Sequence, residues 1–157
     1  MKIRQAQSAD AETVGGLIHA LLSELDPPGS DQFGECTLEV DEVTTTARRL
    51  LESDGRVWAL IAETDGGEAV GVLMLNECAA VYAGGAFGEI TELYIVPAQR
   101  TSGLGAKLIA AAEDFARARG WPRLEVGAPD QPRWNRTVAF YCRNGFEEVG
   151  PRLRRLL

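Results

Sequence analysis

Histidine is almost absent, with His19 the only one in 157 residues. A Ser-His-Asp or Cys-His triad would have to be built on that side chain, and His19 stands between Ile18 and Ala20 in a helical pattern, where it reads as a partly exposed helix residue. Cysteine is scarce too. Cys36, Cys78 and Cys142 are odd in number and far apart with no CxxC pair, which speaks against a disulfide framework and against a zinc site, so no metal is expected. Long apolar runs are missing: residues 57–62 and 69–75 are strand-length, far below the ~20 residues of a membrane helix, so no membrane partner is expected. The opening Met1-Lys2-Ile3-Arg4-Gln5 has no apolar core behind its charges, which makes a cytoplasmic location the expectation. Basic residues are absent from Gln5 to Ala47, a stretch that holds nine acids.

What is present is an ordinary globular composition, with 45% hydrophobic and 25% charged residues in a chain the size of one domain. A single domain over residues 1–157 is expected. The net charge of -7 conceals an asymmetry, because residues 1–98 carry 17 acids and 5 bases whereas residues 99–157 carry 6 acids and 11 bases. Such a split suits two partners of opposite sign. Nucleic acid is not among them, since the chain is acidic overall and its bases are interrupted by acids.

Residues 2–5 read as a strand, after which Ser8 can cap a helix with Val14, Leu17, Ile18, Leu21, Leu22 and Leu25 at three- and four-residue intervals, stopped at Pro27-Pro28-Gly29. A polar acidic loop precedes a second helix over residues 41–53. Residues 56–63 and 69–76 form a hairpin around Thr64-Asp65-Gly66-Gly67-Glu68, and residues 87–96 add a strand stopped by Pro97. Residues 103–119 make the strongest helix, residues 123–126 a short strand, and residues 137–143 a short helix. Residues 147–156 read as one or two further strands broken at Gly150-Pro151. The expected fold is α/β (α+β): a mixed, mostly antiparallel twisted sheet of six to seven strands with helices on both faces.

The segment from Leu93 to Lys107 runs from a strand through Pro97 into a helix that opens on Gly103-Leu104-Gly105. Glycines at a helix start leave unpaired N–H groups open to close approach, and the helix dipole favours an anion there. Arg100 and Lys107 add charge. The P-loop spacing GxxxxGK[ST] is not met, and the dinucleotide pattern GxGxxG fails at Leu108.

Arg100-Thr101-Ser102-Gly103-Leu104-Gly105 resembles the [Q/R]xxGx[G/A] acetyl-CoA signature of the GNAT superfamily of N-acetyltransferases, and Phe140-Tyr141-Cys142-Arg143-Asn144-Gly145-Phe146 resembles that family's late helix ending in Tyr and then Gly-Phe. The order of elements agrees along essentially the whole chain. The resemblance implies acetyl-CoA as co-substrate, with Arg100, Thr101, Ser102, Gly103, Leu104, Gly105, Ala106 and Lys107 around its pyrophosphate. It also implies backbone groups of Leu93, Tyr94 and Ile95 pairing the pantetheine arm where the fourth and fifth strands splay. Tyr141 falls where the family usually has the general acid that protonates the departing thiolate.

Deprotonating an attacking ammonium calls for a carboxylate, and Glu89 and Glu92 are the candidates. Strict alternation puts them on opposite faces of their strand unless a bulge intervenes, and the resemblance implies a bulge there. Cys142 is read as a packed thiol, because direct attack by the amine needs no acyl-enzyme. Two positions depart from the family. Thr101-Ser102 replace basic and glycine residues, and Trp134 stands where many members carry an Asn for the pantetheine arm, with Asn135 one residue out of register. The acidic front suits a cationic small-molecule or peptide amine as acceptor, in a ternary complex. Two other classes remain: a non-catalytic CoA-binding regulator, and an acidic protein-interaction module. Exposed late strands make a homodimer an expectation.

Overall fold

The computed structural model describes residues 1–25, 39–53, 55–128 and 133–155. Cys36, the helix stop at Pro27-Pro28-Gly29 and most of the acidic loop lie outside them. Five strands form one sheet in the order β1-β2-β3-β4-β5, where β1 is Lys2–Gln5, β2 Val57–Glu63, β3 Ala69–Ala80, β4 Gly85–Ile95 and β5 Leu124–Val126. The first four pair antiparallel in sequence, and β5 joins β4 in parallel. The turn between β2 and β3 closes where the Thr64 N–H donates to the Glu68 carbonyl and the Gly67 N–H to the Thr64 carbonyl.

Four helices cover the sheet: α1 Ala11–Leu25, α2 Val40–Glu52, α3 Leu104–Ala118 and α4 Asn135–Arg143. Alternation along the strands feeds two separate cores. Ala59, Ile61, Val72, Met74 and Tyr94 pack beneath Val14 and Ile18 of α1 and Val43 and Ala47 of α2. Leu60, Leu73, Leu75 and Ile90 meet Leu104, Leu108, Ile109 and Ala112 of α3 and Tyr141 of α4 on the other face. Helices α1 and α2 cross closely at Gly15, where a Cβ would stand 2.5 Å from the Thr44 hydroxyl.

Two expectations change. Ser8 is not the cap of α1: residues Ser8–Asp10 form a 3-10 turn, and the Asp10 carboxylate accepts the Gln7 N–H at 2.8 Å. The sheet has five strands among the described residues, not six to seven, because residues 147–155 form no ladder. Pro151 brings no N–H, Gly150 turns the chain at φ +140°, and Val149 and Leu153 are about nine-tenths exposed, so the segment has no apolar face to lay on β5.

Candidate active site

The register of β4 decides what its carboxylates can do. Met74 of β3 faces Glu92, yet the next residue, Leu75, faces Ile90, so Thr91 is an extra residue and β4 bulges there. Asn76 faces Glu89. Met74 and Asn76 lie two apart on β3 and share a face, so Glu89 and Glu92, each directly opposite one of them, share that face as well. It is the face that carries Met74 and Tyr94 under α1 and α2.

The two carboxylates live in different surroundings. Glu92 is partly buried, and loss of water pushes its pKa above the usual carboxylate range; the Thr91 hydroxyl, which donates to it, and the Arg152 charge pull the other way. Glu89 is held by partners. Arg152 Nη1 lies 2.7 Å from its Oε1, and the Cys78 Sγ lies 3.5 Å from its Oε2. Burial, then the Glu89 carboxylate, pushes the Cys78 thiol up, so that sulfur stays protonated.

Beside this pair the sheet opens. β5 meets β4 only at Gly88, Glu89 and Ile90, and beyond Ile90 the remaining residues of β4 have no partner in β5. The Val96 N–H donates to the Val70 carbonyl at 3.0 Å. The antiparallel alternation therefore turns the backbone groups of Tyr94 toward β3 and those of Leu93 and Ile95 toward the opening. Of the three residues expected to offer backbone there, Leu93 and Ile95 turn their groups to the opening and Tyr94 turns its own toward β3. The Ile95 carbonyl is already engaged by Arg100 Nε at 2.9 Å.

The cradle forms at the start of α3. Gly103 takes φ +79° as the residue before the helix, and the first intrahelical bond, Lys107 N–H to the Gly103 carbonyl at 3.2 Å, leaves the N–H groups of Leu104, Gly105 and Ala106 outside the helix ladder. Thr101 also sits at positive φ, +67°, which is costly for a β-branched residue and typical of backbone held for a purpose. Side chains depart from expectation at two places. The Ser102 hydroxyl donates to the Gln99 carbonyl at 2.6 Å. Arg100 does not stand free: its guanidinium bonds both oxygens of Glu24, at 2.8 and 2.9 Å, and lies over the Tyr94 ring, whose hydroxyl donates to the same carboxylate at 3.1 Å. Its charge is thus spent on the end of α1. Lys107 is exposed with no ion-pair partner among the described residues. Gly105 serves packing, because a Cβ there would stand 2.9 Å from the Phe140 ring of α4.

Tyr141 is buried in the α3 face, edge-on to Phe140 and Phe146 at 5.3 and 5.5 Å between ring centres. Burial alone raises its pKa to about 12, so the hydroxyl keeps its proton through neutral and mildly alkaline pH. Tyr141 and Glu92 therefore belong to opposite faces of the sheet. Asn135 is the exposed first residue of α4, and Trp134, not Asn135, precedes the helix. The Trp134 indole N–H is buried without an acceptor among the described residues. A groove between Trp121, Leu124 and Val149 lies at the far end of α3 from the cradle; Phe146 lines it, but Glu89, Glu92, Tyr141 and the cradle residues do not.

Reading along the chain missed Glu24 and Arg152, whose partners are 76 and 63 positions away; no local pattern announces such pairs. The bulge, the opening between parallel strands and the glycine-led helix define an acyltransferase of the acetyltransferase (GNAT) family, to which the chain belongs: that family's model matches residues 18–146. The chain is an N-acetyltransferase, and enzymes of this family use acetyl-CoA. It is 28% identical over 152 residues, covering 94% of this chain and 91% of the relative, to the uncharacterized N-acetyltransferase YhfO of Bacillus subtilis. A crystal structure of a putative acetyltransferase from Arthrobacter is 27% identical and superposes with a TM-score of 0.76 over 100% of this chain and 96% of its own. An aminoglycoside N-acetyltransferase solved with CoA shares the fold at 20% identity, with a TM-score of 0.73 over 99% and 93% of the two chains.

Proposed function

We propose that the enzyme transfers the acetyl group of acetyl-CoA to a primary amine of a cationic small molecule or peptide, by direct attack in a ternary complex. The observation that carries this reading is the bulge at Thr91, which sets Glu92 and Glu89 on one face of β4 beside the opening. The donor fits the residues present. The free N–H groups of Leu104, Gly105 and Ala106, with Thr101 and Gly103 in left-handed backbone, take the pyrophosphate with help from Lys107. Leu93 and the Ile95 N–H pair the pantetheine arm, and the orphaned Trp134 N–H offers it the donor that an amide would otherwise give. Ser102 and the Arg100 guanidinium shape the loop from behind.

Glu92, with its raised pKa, is the base. It removes a proton from the acceptor ammonium, directly or through water, and the amine nitrogen attacks the thioester carbon. The carbon–sulfur bond breaks, Tyr141 on the other side of β4 donates a proton to the sulfur, and the second proton of the attacking nitrogen, released as the amide forms, restores the phenol through solvent. The acidic front and the CoA-bound aminoglycoside N-acetyltransferase support an amine acceptor.

The test pairs melting with turnover. Acetyl-CoA at 100 times its dissociation constant is expected to add about 2.7 kcal/mol, seen as a higher Tm. Thiol release should follow with members of a panel of polyamines, aminoglycosides and peptide amines. Tyr141→Phe is expected to lose about 100-fold in turnover while keeping the acetyl-CoA shift. A shift with no thiol release from any amine leaves a CoA-binding regulator, and no shift at all leaves an acidic interaction module.

A further inference from the structure

Arg152 belongs to a stretch, residues 147–155, that forms no helix or strand and is exposed at every position. Its guanidinium nonetheless reaches back to the sheet and binds Glu89, and its charge also acts on Glu92. The approach is shaped on both sides. The side chain passes over Gly127, just beyond β5, where any Cβ would overlap the guanidinium. Glu89 is 19% exposed and Arg152 66%, so one partner is fixed in the sheet while the other arrives from solvent on a loose tether.

We propose that Arg152 is a tethered stand-in for a cationic group of the acceptor: it occupies the Glu89 subsite when the acceptor is away, and the acceptor must carry a second cation able to displace it. This rests on the transferase reading above. The site offers two carboxylates on one face, Glu89 and Glu92. A molecule with two or more amino groups can exchange one ammonium for Arg152 at Glu89 and present a second amine to Glu92. An amine with a single charge would have to choose between them. The exchange is affordable because an ion pair open to water is weak, and replacing one cation by another leaves Glu89 paired. A guanidinium keeps its charge at every working pH, so the competition is constant. Polyamines and other multi-amine molecules are thus the acceptor class that the site admits best.

The experiment is calorimetric titration of spermidine, as the polyamine probe, and of n-butylamine, as the single-charge control. It uses the full chain, wild type and Arg152→Ala. Loss of the competitor is expected to tighten spermidine about five-fold, the upper end of what an exposed pair supplies, with a smaller change for n-butylamine. Arg155→Ala removes an equal charge three residues away, and its spermidine affinity is expected to match wild type. Gly127→Ala keeps the Arg152 charge but crowds the guanidinium off Glu89; it should tighten spermidine as Arg152→Ala does, which covers the case of an unstable Arg152 variant. Equal spermidine affinity in wild type and Arg152→Ala, or an equal gain in Arg155→Ala, overturns the proposal. Titration with acetyl-CoA reads the donor site separately. Tight acetyl-CoA binding beside unchanged spermidine affinity removes only the role of Arg152, whereas failure to bind acetyl-CoA removes the transferase reading whatever spermidine does.

Discussion

Glu89 and Glu92 have the same chemistry and nearly the same place in the chain, yet the fold has made them different groups. Glu89 is neutralised by Arg152; Glu92 has lost water without gaining a cation of its own. A raised carboxyl pKa has a defined sign for stability. Between the ordinary carboxylate value and the raised one, the folded state holds a proton that the unfolded state has released, so stability falls as pH climbs through that window. Glu92→Gln is therefore expected to melt higher than wild type at pH 7 and to turn over about 100-fold more slowly. In the wild type the acid limb of kcat/KM is expected to lie above the ordinary carboxylate range, and in the variant that limb is expected to disappear. A variant that keeps both its rate and its acid limb would remove Glu92 from the proton path. The sequence shows two glutamates three apart and no more than that. The bulge that aligns them comes from the register of β3 against β4, which depends on residues 13 to 18 positions away.

At the scale of elements, local signals served well where chain chemistry is local. Glycines and Pro97 marked the turns and the head of α3, and spacing placed α1, α2 and α3 close to their observed bounds. The signals failed where pairing is long-range. Arg100 looked like a free cation beside a phosphate site, but Glu24 at the end of α1 takes it, and residues 147–155 looked strand-like but join no ladder among the described residues. Gly105 is a mixed case. The signature marks it as part of the cradle, whereas its immediate neighbours are the Phe140 ring and the Ile95 side chain, at 2.9 and 3.3 Å from a Cβ placed there. Gly105→Val should therefore act through the α3–α4 contact, costing roughly 1–3 kcal/mol in chemical denaturation, typical of an overpacked site. Because Tyr141 follows Phe140 on α4, turnover should fall together with stability. A variant of wild-type stability that has lost only acetyl-CoA affinity would instead give Gly105 a direct part in phosphate approach.

Over the whole molecule, the acidic front and basic back do not simply divide two substrates between them. The front half does supply the carboxylates of β4, and the cationic acceptor proposed above would meet a chain of net charge -7. The back half supplies less free positive charge to the donor than its count suggests: Arg117 pairs with Glu113, Arg123 with Glu125, Arg152 with Glu89, and Arg100 is held by Glu24. In the proposed donor site, what is left to meet phosphates is the backbone N–H groups at the start of α3 together with Lys107. These two modes of recognition respond differently to salt. Exposed charge-to-charge attraction is screened within about 10 Å at 0.1 M ionic strength, whereas hydrogen bonds from a fixed helix start keep most of their strength. Raising salt from about 0.05 to about 0.5 M is therefore expected to raise the KM for spermidine several-fold while that for acetyl-CoA moves much less, with n-butylamine between them. Lys107→Ala should flatten the remaining salt response of acetyl-CoA. If acetyl-CoA proved as salt-sensitive as spermidine, the donor would be held by arginines now paired elsewhere, and binding would have to break the Arg100–Glu24 contact, tying the end of α1 to the state of the donor site.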